Sequence, residues 1–334
     1  MTPASDHFYS GKRVLIAGGG GFIGGWLVSE LSKLGPKLLR VVDVKPQSEW
    51  FQFNDDAENL ELDLRDDIAC KRAVADVDIV FNLAADMGGM GFIENNKALC
   101  MLSVLINTNL LNYSRKFNIE RYFFASSACV YNQSKQTNPD NLGLKEVDAY
   151  PADPEDGYGW EKLFGERMCR HFFEDFKLMT RVARFHNVYG PYGTYDGGRE
   201  KAPAAICRKI ALAKLTGKHE ISIWGDGRQT RSFMFISDCL EGINRIIQSD
   251  YSQPLNLGSN RSVTINELVD IVENIAEIKV ERKYEIDAPK GVRGRNSDNS
   301  LIQEILGWQP RVSLEEGLSE TYRWIYQNLA SRIN

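Results

Sequence analysis

A strand-like run that leads directly into glycines and then into a helical pattern most limits how this chain can fold. The run RVLIAG (13–18) is apolar and rich in β-branched side chains. Glycines follow in GGGGFIGG (18–25), and apolar residues then recur at helical spacing from Phe22 to Leu34. A strand, a tight turn and a helix in this order are typical of the first unit of a parallel α/β sheet.

The same strand signal recurs along the first half of the chain. We predict four more strands, at 38–44, 60–64, 77–85 and 121–127, with helices at 66–75 and 94–118. Alternating strands and helices predict an α/β fold, a Rossmann-type doubly wound parallel sheet with helices on both faces. The second half is richer in loops, and for it we predict a strand at 180–185 and helices at 157–177, 203–215 and 314–329.

The composition limits the classes of function. A net charge of -5 gives no basic excess for binding nucleic acid. Six widely spaced cysteines without a C-x-x-C pair argue against a zinc site or a disulfide framework, so we expect no metal. No apolar run approaches the ~18 residues of a membrane-spanning helix, so we expect no membrane partner. We predict a cytoplasmic protein.

The glycine run lies where such a fold binds a dinucleotide. It fits G-x-x-G-x-x-G from Gly18 and also G-x-G-x-x-G from Gly19. Glycine permits a tight turn and lets backbone N–H groups approach a pyrophosphate at the positive end of a helix. A plain glycine turn is the alternative, but the position after a strand favours a cofactor loop. We assign this loop to Gly18, Gly21, Phe22, Ile23 and Gly24.

Two acidic residues follow predicted strands. Asp43 ends the second strand, where a carboxylate accepts hydrogen bonds from the adenosine ribose and repels a 2′-phosphate. This position favours NAD over NADP, although the nearby positive charge of Lys45 argues the other way. The alternative for Asp43 is a carboxylate that only stabilises a turn. Asp63 ends the third predicted strand, where an adenine contact and a solvated turn acid are both consistent with the sequence.

A tyrosine and a lysine lie one helical turn apart in YGWEK (158–162). A tyrosine with its ordinary pKa of ~10 is a poor base, and we expect the Lys162 ammonium to lower the pKa of Tyr158 by stabilising the phenolate. With the hydroxyls of Ser126 and Ser127 after the fifth strand, this pair predicts a site that takes a proton from an alcohol during its oxidation. The Tyr-x-x-x-Lys spacing alone also occurs by chance.

At these residues the chain resembles the extended short-chain dehydrogenase/reductase family, whose Ser/Thr-Tyr-Lys set they match. The likeness spans nearly the whole chain and includes NLAA (82–85), NVYGP (187–191) and RSFMFISD (231–238). Longer strings resemble a branch of this family whose members epimerise GDP-mannose: NLAADMGGMGFI (82–93), SSACVY (126–131), RFHNVYGPYGT (184–194), GGREKAPAAICRK (197–209), WGDGRQTRSF (224–233) and GVRGRNSDN (291–299).

The resemblance implies an organisation as well as an activity. We expect an NAD-binding Rossmann domain over 1–185, to which segments around 232–258 return, and a smaller mixed α/β domain over 186–334 that binds the nucleotide sugar. The resemblance also implies a homodimer formed by the helices at 94–118 and 157–177.

The resemblance further implies that Cys129 and Lys201 form an acid/base pair, while Tyr158, Lys162 and NAD perform the redox step. On an extended strand end, side chains two residues apart point the same way, so we expect Ser127 and Cys129 to face one pocket. We assign proton removal to Cys129 and proton return to Lys201. The alternatives are a packed thiol beneath the cofactor and a solvated loop lysine.

A substrate pyrophosphate needs local positive charge in an acidic chain. Lys209, Arg231 and Arg295 are the candidates, and the fork of an arginine can hold phosphate oxygens bidentately. Any one of these charges is alternatively a surface ion pair. We also expect Ser127, Cys129 and Lys201 to contact the substrate. The resemblance implies four further substrate contacts: Gly88, Asn187, Glu200 and Gln229.

The expected chemistry explains why these groups belong together. The C–H bonds at C3 and C5 of a hexose are too weakly acidic to lose a proton directly, but oxidation at C4 by NAD places both carbons next to a ketone. Inversion then needs one group to remove a proton and another to deliver one from the opposite face. We expect GDP-D-mannose to become GDP-L-galactose, with GDP-L-gulose from C5 inversion alone. The alternatives are a related nucleotide-sugar epimerase or dehydratase and a non-catalytic NAD-binding protein.

Overall fold

The structure, a computed structural model, describes residues 7–140, 143–289 and 291–333. The outer limits of the predicted domains, residues 1 and 334, lie outside these ranges. The strands are β1 (Arg13–Ala17), β2 (Leu38–Asp43), β3 (Glu58–Glu61), β4 (Ile79–Asn82), β5 (Arg121–Ser127), β6 (Thr180–Phe185), β7 (Val188–Tyr189), β8 (Glu220–Trp224), β9 (Thr230–Ser232), β10 (Met234–Phe235), β11 (Leu255–Leu257), β12 (Ser262–Thr264), β13 (Glu281–Glu285) and β14 (Gly294–Arg295). The α-helices are α1 (Phe22–Ser32), α2 (Asp67–Val74), α3 (Met90–Asn95), α4 (Lys97–Met101), α5 (Ser103–Lys116), α6 (Tyr158–Phe176), α7 (Ala202–Thr216), α8 (Ile236–Gln248), α9 (Ile265–Ala276), α10 (Ser300–Leu306) and α11 (Leu314–Ile333).

The central sheet has seven strands in the order β3-β2-β1-β4-β5-β6-β11. Every neighbouring pair runs parallel. This arrangement confirms the predicted Rossmann-type sheet, and its seventh strand comes from late in the chain. Because the strand order reverses between β1 and β4, the connections that leave these two strands diverge and leave a crevice at the carboxyl edge of the sheet, where open α/β sheets bind their ligands.

Alternate residues of β1 belong to two separate apolar layers. Val14 and Ile16 pack with Leu27 of α1 in one buried cluster, whereas Leu15 packs with Leu110 of α5 in the other. All five side chains are completely buried. A sheet that is covered on both faces requires apolar residues at successive positions, which explains why its strands appear in the sequence as continuous apolar runs.

The second half of the chain is mixed α/β, as predicted. Helix α7 packs against α9 and α11. Short strands pair around these helices: β8 with β13, β7 with β10, and β9 between β12 and β14. These small sheets lie outside the central sheet; β9 carries Arg231, β14 carries Arg295, and Gln229 directly precedes β9.

Two predicted elements differ from the structure. The third strand is Glu58–Glu61 rather than 60–64. It pairs with β2 in a register that places Glu58 opposite Arg40, and these side chains form an ion pair of 2.7 Å, so polar residues carry part of this edge strand. The helix predicted over 94–118 is divided into α3, α4 and α5. Asn96 leaves the helical region with a φ of -132° and separates α3 from α4, whereas Leu102 between α4 and α5 keeps a helical φ of -62°.

Within the described ranges, no helix is both long enough and apolar enough to cross a membrane. Nor do three or more His, Cys, Asp or Glu side chains of these ranges come together as a candidate metal site.

A buried ion pair joins α6 to the sheet. Arg184 on β6 donates from Nε and Nη2 to Glu166 on α6 at 2.8 and 2.7 Å. Ser126 Oγ on β5 donates to the same carboxylate at 2.5 Å. Because both charged side chains are buried, each depends on the other for compensation of its charge.

Replacing Glu166 with Ala is expected to lower the free energy of unfolding by about 3–5 kcal/mol, because it leaves the Arg184 guanidinium buried without its partner. The matched control is Glu174→Ala on the same helix, which removes an exposed ion pair with Arg170 and should leave stability nearly unchanged. Urea unfolding of both variants measures the difference. Equal effects would contradict the importance of the buried pair.

Candidate active site

The glycine loop is packed too tightly to accept side chains. Gly18 has a left-handed φ of +84°, and its N–H donates to the Val42 carbonyl oxygen at 2.7 Å. A Cβ on Gly24 would lie 2.1 Å from the carbonyl oxygen of Gly18. The loop therefore passes directly over the first turn of α1, which is the close approach that the sequence pattern predicts.

The amino end of α1 is open to an anion. Gly21 occupies the N-cap position without a side-chain cap, and the first turn contains no acidic residue. Unpaired backbone N–H groups and the helix dipole attract negative charge to such an end. Phe22 and Ile23 form the first turn and are half-buried. These features fit a bound pyrophosphate.

Asp43 lies at the carboxyl end of β2, as predicted, and is only 8% exposed. Its Oδ1 accepts a hydrogen bond from the backbone N–H of Lys45 at 3.0 Å. The Lys45 ammonium donates to the carbonyl oxygen of Gly20 at 2.6 Å. The lysine that opposed the NAD assignment thus binds the glycine loop itself, while the Asp43 carboxylate stays beside that loop as the ribose contact requires.

Asp63 does not end a strand, since β3 ends two residues earlier at Glu61. Its carboxylate binds the Arg65 guanidinium, with Oδ2 and Nη2 2.6 Å apart. The hydrogen bonds from Arg65 hold the pKa of Asp63 below its usual range. The strand prediction is wrong here, whereas the adenine contact of Asp63 stays a prediction.

Tyr158 and Lys162 are brought together at the start of α6. The Lys162 Nζ lies 5.6 Å from the centre of the Tyr158 ring, and both side chains are buried. Burial raises the pKa of Tyr158 well above its usual range, although a hydrogen bond with Ser127 opposes this shift. The predicted lowering of the Tyr158 pKa is therefore wrong, because the loss of hydration on burial is the largest influence on this pKa. Glu161, 3.5 Å from Lys162, shares that positive charge.

Cys129 lies in a turn rather than on an extended strand end. Strand β5 ends at Ser127, and Ala128–Val130 form a 3-10 turn. The Ser127 Oγ accepts a hydrogen bond from the Cys129 N–H at 3.2 Å. The expected alternation of side chains is wrong, yet the turn still places Cys129 in the same apolar cluster as Tyr158.

A buried group of polar side chains surrounds the thiol. Arg295, on β14, places Nη1 3.4 Å from the Cys129 Sγ and Nη2 3.0 Å from Glu155 Oε1. Its Nε donates to Gln136 Oε1 at 2.6 Å. Burial lowers the pKa of Arg231 to about 10, and the charges of Arg295 and Glu155 also act on this pKa. Arg295 thus lies at the thiol, and Arg231 lies opposite Arg295 in the β9–β14 pair.

The thiol and the predicted amine have opposite tendencies to hold a proton. Burial, followed by the Glu155 charge, raises the pKa of Cys129 to about 12. Lys201 precedes α7 and is half-buried, and its burial lowers the pKa of its ammonium. The charges of Cys129 and Arg295 also act on the pKa of Lys201. The acid/base role of Cys129 and Lys201 stays a prediction.

The loop after β4 packs against the segment that leads to Lys201. Gly89 donates its N–H to the Arg199 carbonyl oxygen at 3.0 Å. A Cβ on Gly88 would lie 3.2 Å from the Arg199 Cα, so this position requires a small residue. The ion pair between Arg199 and Asp86, 3.5 Å long, joins the same two loops. The position of Lys201 therefore depends on the carboxyl end of β4.

Four other predicted substrate residues are held by local contacts. Asn187 Nδ2 donates to the Ser232 carbonyl oxygen at 3.1 Å, and Glu200 binds Arg208 at 3.3 Å. Lys209 Nζ donates to the Ser222 carbonyl oxygen at 2.6 Å, and Gln229 Nε2 to that of Trp224 at 2.9 Å. Burial lowers the pKa of Lys209. These contacts do not connect the four residues to the thiol.

Sequence reasoning misses Glu155 and Gln136. Glu155 lies in PADPEDGYG (151–159), where two prolines and three acidic residues indicate a solvated loop. In the structure it is 7% exposed and lines a cavity of about 970 Å³ together with Gln136, Glu94 and Arg293. Its position only three residues before Tyr158 is the one signal in the sequence that places it near the chemistry.

Comparison with known proteins agrees with this geometry. The model of the NAD dependent epimerase/dehydratase family matches residues 14–258. The chain belongs to the NAD-dependent epimerase/dehydratase family. One relative is GDP-mannose 3,5-epimerase from Arabidopsis thaliana, which is 44% identical to this chain. The similarity covers 95% of this chain and 83% of the Arabidopsis protein. A protein of the same name from Oryza sativa subsp. indica is also 44% identical, over 95% of this chain and 82% of its own length.

Solved structures agree at the level of the fold. UDP-glucose 4-epimerase from Thermotoga maritima, crystallised with UDP-glucose, superposes with a TM-score of 0.85 and 25% identity. The similarity covers 95% of this epimerase/dehydratase chain and 99% of that one.

Replacing Gly24 with Val is expected to weaken NAD binding at least tenfold, equivalent to ~1.4 kcal/mol, because the side chain displaces the Gly18 carbonyl from the turn. The matched control is Gly25→Ala, whose Cβ meets the mobile end of the Gln52 side chain. Nucleotide released from denatured protein, quantified per chain, measures retention. Equal NAD content in both variants would contradict the cofactor loop.

Proposed function

We propose that this chain is a GDP-mannose 3,5-epimerase that converts GDP-D-mannose to GDP-L-galactose, with GDP-L-gulose formed by C5 inversion alone. The observation that supports the proposal is the buried cluster that contains Tyr158 and Cys129, with Lys162 5.6 Å from the centre of the tyrosine ring. The charge of Cys129 also acts on the pKa of Lys201, the second predicted proton-transfer group. The 44% identity to plant enzymes with this name supports the same reaction.

NAD is the cofactor, and when bound it supplies the reversible oxidation of the sugar at C4. The open end of α1 would hold its pyrophosphate through Gly18, Gly21, Phe22, Ile23 and Gly24. Asp43 would hold the adenosine ribose and Asp63 the adenine. Tyr158 and Lys162 would also contact NAD.

Tyr158 moves the proton at the sugar O4. Its phenolate oxygen takes this proton when C4 is oxidised, which gives the neutral hydroxyl, and this hydroxyl returns the proton when C4 is reduced again. Ser127 orients the reacting oxygen, since its hydroxyl acts on the pKa of Tyr158 and lowers it. Lys162 provides the positive charge that partly offsets the developing phenolate.

Cys129 and Lys201 perform the inversions at C3 and C5. They come from different elements, a turn after β5 and the residue before α7, so they approach a bound ring from different directions. Oxidation at C4 makes both neighbouring carbons acidic, so one pair of groups serves both centres. Burial of the site keeps water from the intermediates and strengthens each electrostatic contact.

The remaining predicted residues bind the rest of the substrate. Arg231 and Arg295 contribute positive charge at the reacting end, because Arg295 lies at the thiol and Arg231 lies opposite Arg295. Lys209 supplies charge further along α7, toward the nucleotide. The remaining proposed substrate contacts are polar or backbone contacts, made by Gly88, Asn187, Glu200 and Gln229.

Proton NMR of the purified protein with GDP-mannose in D₂O tests the function. Deuterium is expected at both C3 and C5, with new anomeric signals of galactose and gulose type. Deuterium at one carbon alone would replace this proposal with a single-centre epimerase, the reaction type in the name of the Thermotoga structure. No exchange after addition of NAD would contradict the assigned substrate.

Changing Cys129 to Ala is expected to reduce C–H exchange at least ~100-fold, the range that a lost acid/base group costs, while folding and NAD content are retained. Cys100→Ala is the matched control, since Cys100 is a buried thiol of the same apolar cluster. The same NMR exchange assay measures both variants. Equal exchange in both would leave Cys129 as a packing residue.

The wider organisation is also part of the proposal. An NAD-binding domain over 1–185, with return segments around 232–258, and a nucleotide-sugar domain over 186–334 are consistent with β11 joining the central sheet. A cytoplasmic location is supported by six cysteines that are all free and buried.

A homodimer through α4, α5 and α6 is supported by apolar side chains that these neighbouring helices expose. Trp160 and Phe164 on α6 are 44% and 50% exposed. Met101 on α4, Leu102 between α4 and α5, and Leu105 on α5 are 42–47% exposed. Because α4 and α5 pack against α6, these side chains share one side of the molecule, and an apolar surface of this kind marks an interface.

Replacing Phe164 with Glu is expected to convert the dimer to a monomer, because it places a charge within the proposed apolar interface. Ile68→Glu is the control, since it changes an exposed apolar residue on α2. Light scattering should give twice the chain mass of 37.8 kDa for the parent and the control, and one chain mass for Phe164→Glu. A parent mass of one chain would contradict the dimer.

A further inference from the structure

A polar residue lies in the middle of an apolar strand of the central sheet. Asn256 is flanked by Leu255 and Leu257 on β11, and it is completely buried. Its amide nitrogen donates to the carbonyl oxygens of Leu144 and Asp298 at 2.7 and 3.0 Å. These two contacts use both N–H groups and fix the orientation of the amide, because only Nδ2 can donate to a carbonyl oxygen.

The oxygen of the same amide accepts two further hydrogen bonds. Tyr131 donates its hydroxyl proton to Asn256 Oδ1, and His186 donates from Nε2 to the same atom at 2.9 Å. Both donors are completely buried. All four hydrogen-bonding positions of the amide are thus occupied inside the protein, and rotation of the amide would leave buried partners unpaired.

Each of the two donors adjoins a segment that carries a predicted site residue. Tyr131 directly follows the 3-10 turn that contains Cys129. His186 directly precedes Asn187, whose backbone has a left-handed φ of +41°. A residue with a side chain keeps such a backbone only where its surroundings hold it. Asn256 therefore links the segment after β5 with the segment after β6.

A third segment that carries a site residue meets the same amide. Asp298, whose carbonyl oxygen accepts from Asn256, comes three residues after Arg295 on β14. This link matters because the Arg295 guanidinium lies 3.4 Å from the Cys129 sulfur. One buried amide thus connects the three segments that carry Cys129, Asn187 and Arg295.

We propose, building on the proposed function, that Asn256 is a positioning residue for the epimerisation. Through Tyr131 and His186 it keeps the Cys129 thiol at a fixed distance from the segment of Asn187, a proposed substrate contact. Asn256 acts through these two side chains and takes no part in the chemistry itself. Proton transfer at a ring carbon depends steeply on distance, since a displacement of about 1 Å costs ~100-fold in rate.

The four contacts explain why this position needs an amide. Aspartate has the same shape, but it would place a carboxylate against the two carbonyl oxygens that now accept from Nδ2. An apolar side chain would leave the Tyr131 hydroxyl and the His186 N–H buried without an acceptor. Among the standard side chains, only Asn and Gln carry an NH₂ group and a carbonyl oxygen together, and Gln is longer by a methylene.

The test compares two tyrosines that make the same kind of bond. Tyr131→Phe removes only the hydroxyl that donates to Asn256. The matched control is Tyr9→Phe, because Tyr9 is also completely buried and its hydroxyl donates to Asn244 Oδ1 at 2.5 Å, outside the three linked segments. Urea unfolding is expected to show a similar loss of stability for both variants, since each loses one buried hydrogen bond.

The two variants are expected to differ in the proposed reaction. For deuterium exchange at C3 and C5 of GDP-mannose, Tyr131→Phe should lower kcat at least ~10-fold, less than an ångström of displacement costs. Its KM should stay within about twofold and its NAD content should stay unchanged, because a misplaced reacting group weakens only the transition state. Tyr9→Phe should retain the kcat of the unaltered protein. Equal kcat in the two variants would overturn the proposal, as would a loss that appears in KM instead.

A double variant tests whether Asn256 acts through Tyr131. Asn256→Ala should lower kcat more than Tyr131→Phe does, and the two changes together should cause no further loss, because the shared bond is already absent. A further loss as large as that of Tyr131→Phe alone would mean that the residues act independently, against the proposal. If Asn256→Ala does not fold, the comparison of the two tyrosines still decides.

Alkylation of Cys129 gives a second measurement that needs no substrate. Iodoacetamide should modify Cys129 about threefold faster in Tyr131→Phe than in Tyr9→Phe, because a turn with one contact fewer opens more often. Mass spectrometry of the Cys129 peptide measures the rate, and equal rates would contradict the role of Asn256 at this turn. Absence of exchange in the unaltered protein would instead overturn the proposed function, and the alkylation rates would then decide the positioning role alone.

Discussion

Parallel pairing of β1 with β4 sends the glycine loop and the loop before α3 out of the same edge of the sheet. Strands β5 and β6 continue in the same direction, so Ser127 and the segment before Asn187 also leave at this edge. Groups that are more than a hundred residues apart in sequence therefore meet without any long-range motif. The apolar layers on both faces hold the strands in this register, because a slip by one residue would exchange the two buried faces of β1.

The site is built from charges that water does not compensate. Glu155, Lys162 and Arg295 are each less than 10% exposed, and each has an oppositely charged neighbour within 3.5 Å. Such pairs add little to stability compared with apolar packing, so their presence is better explained by the chemistry they permit. The Arg184–Glu166 pair is also a buried ion pair, but it lies between β6 and α6. There it fixes α6, and with it the backbone that carries Tyr158.

How much the sequence can predict depends on whether the signal is local. The glycine loop, Asp43 and the Tyr158–Lys162 spacing are properties of single elements, and the structure places them where the pattern predicts. The bounds of β3 and the break at Asn96 are not predictable in this way, since edge pairing and one backbone angle determine them. Glu155 and the arrangement of Arg231 and Arg295 depend on contacts between distant segments, for which a single sequence contains no periodic signal. The need for positive charge at a substrate pyrophosphate identified the arginines as candidates for the site, but it did not predict the contact of Arg295 with the sulfur.

The contact between Arg295 and Cys129 spans 166 positions of the chain. Ribosomes deliver the amino-terminal segments first, and these can begin to fold before the rest of the chain is made. During that interval, β1 to β6 and α6 are available, but β14 with its guanidinium has not been synthesised. Until β14 leaves the ribosome, the Glu155 carboxylate has no Arg295 guanidinium to compensate its charge. The charge balance of this buried pocket is therefore completed only after the strand that carries Arg295 has been made.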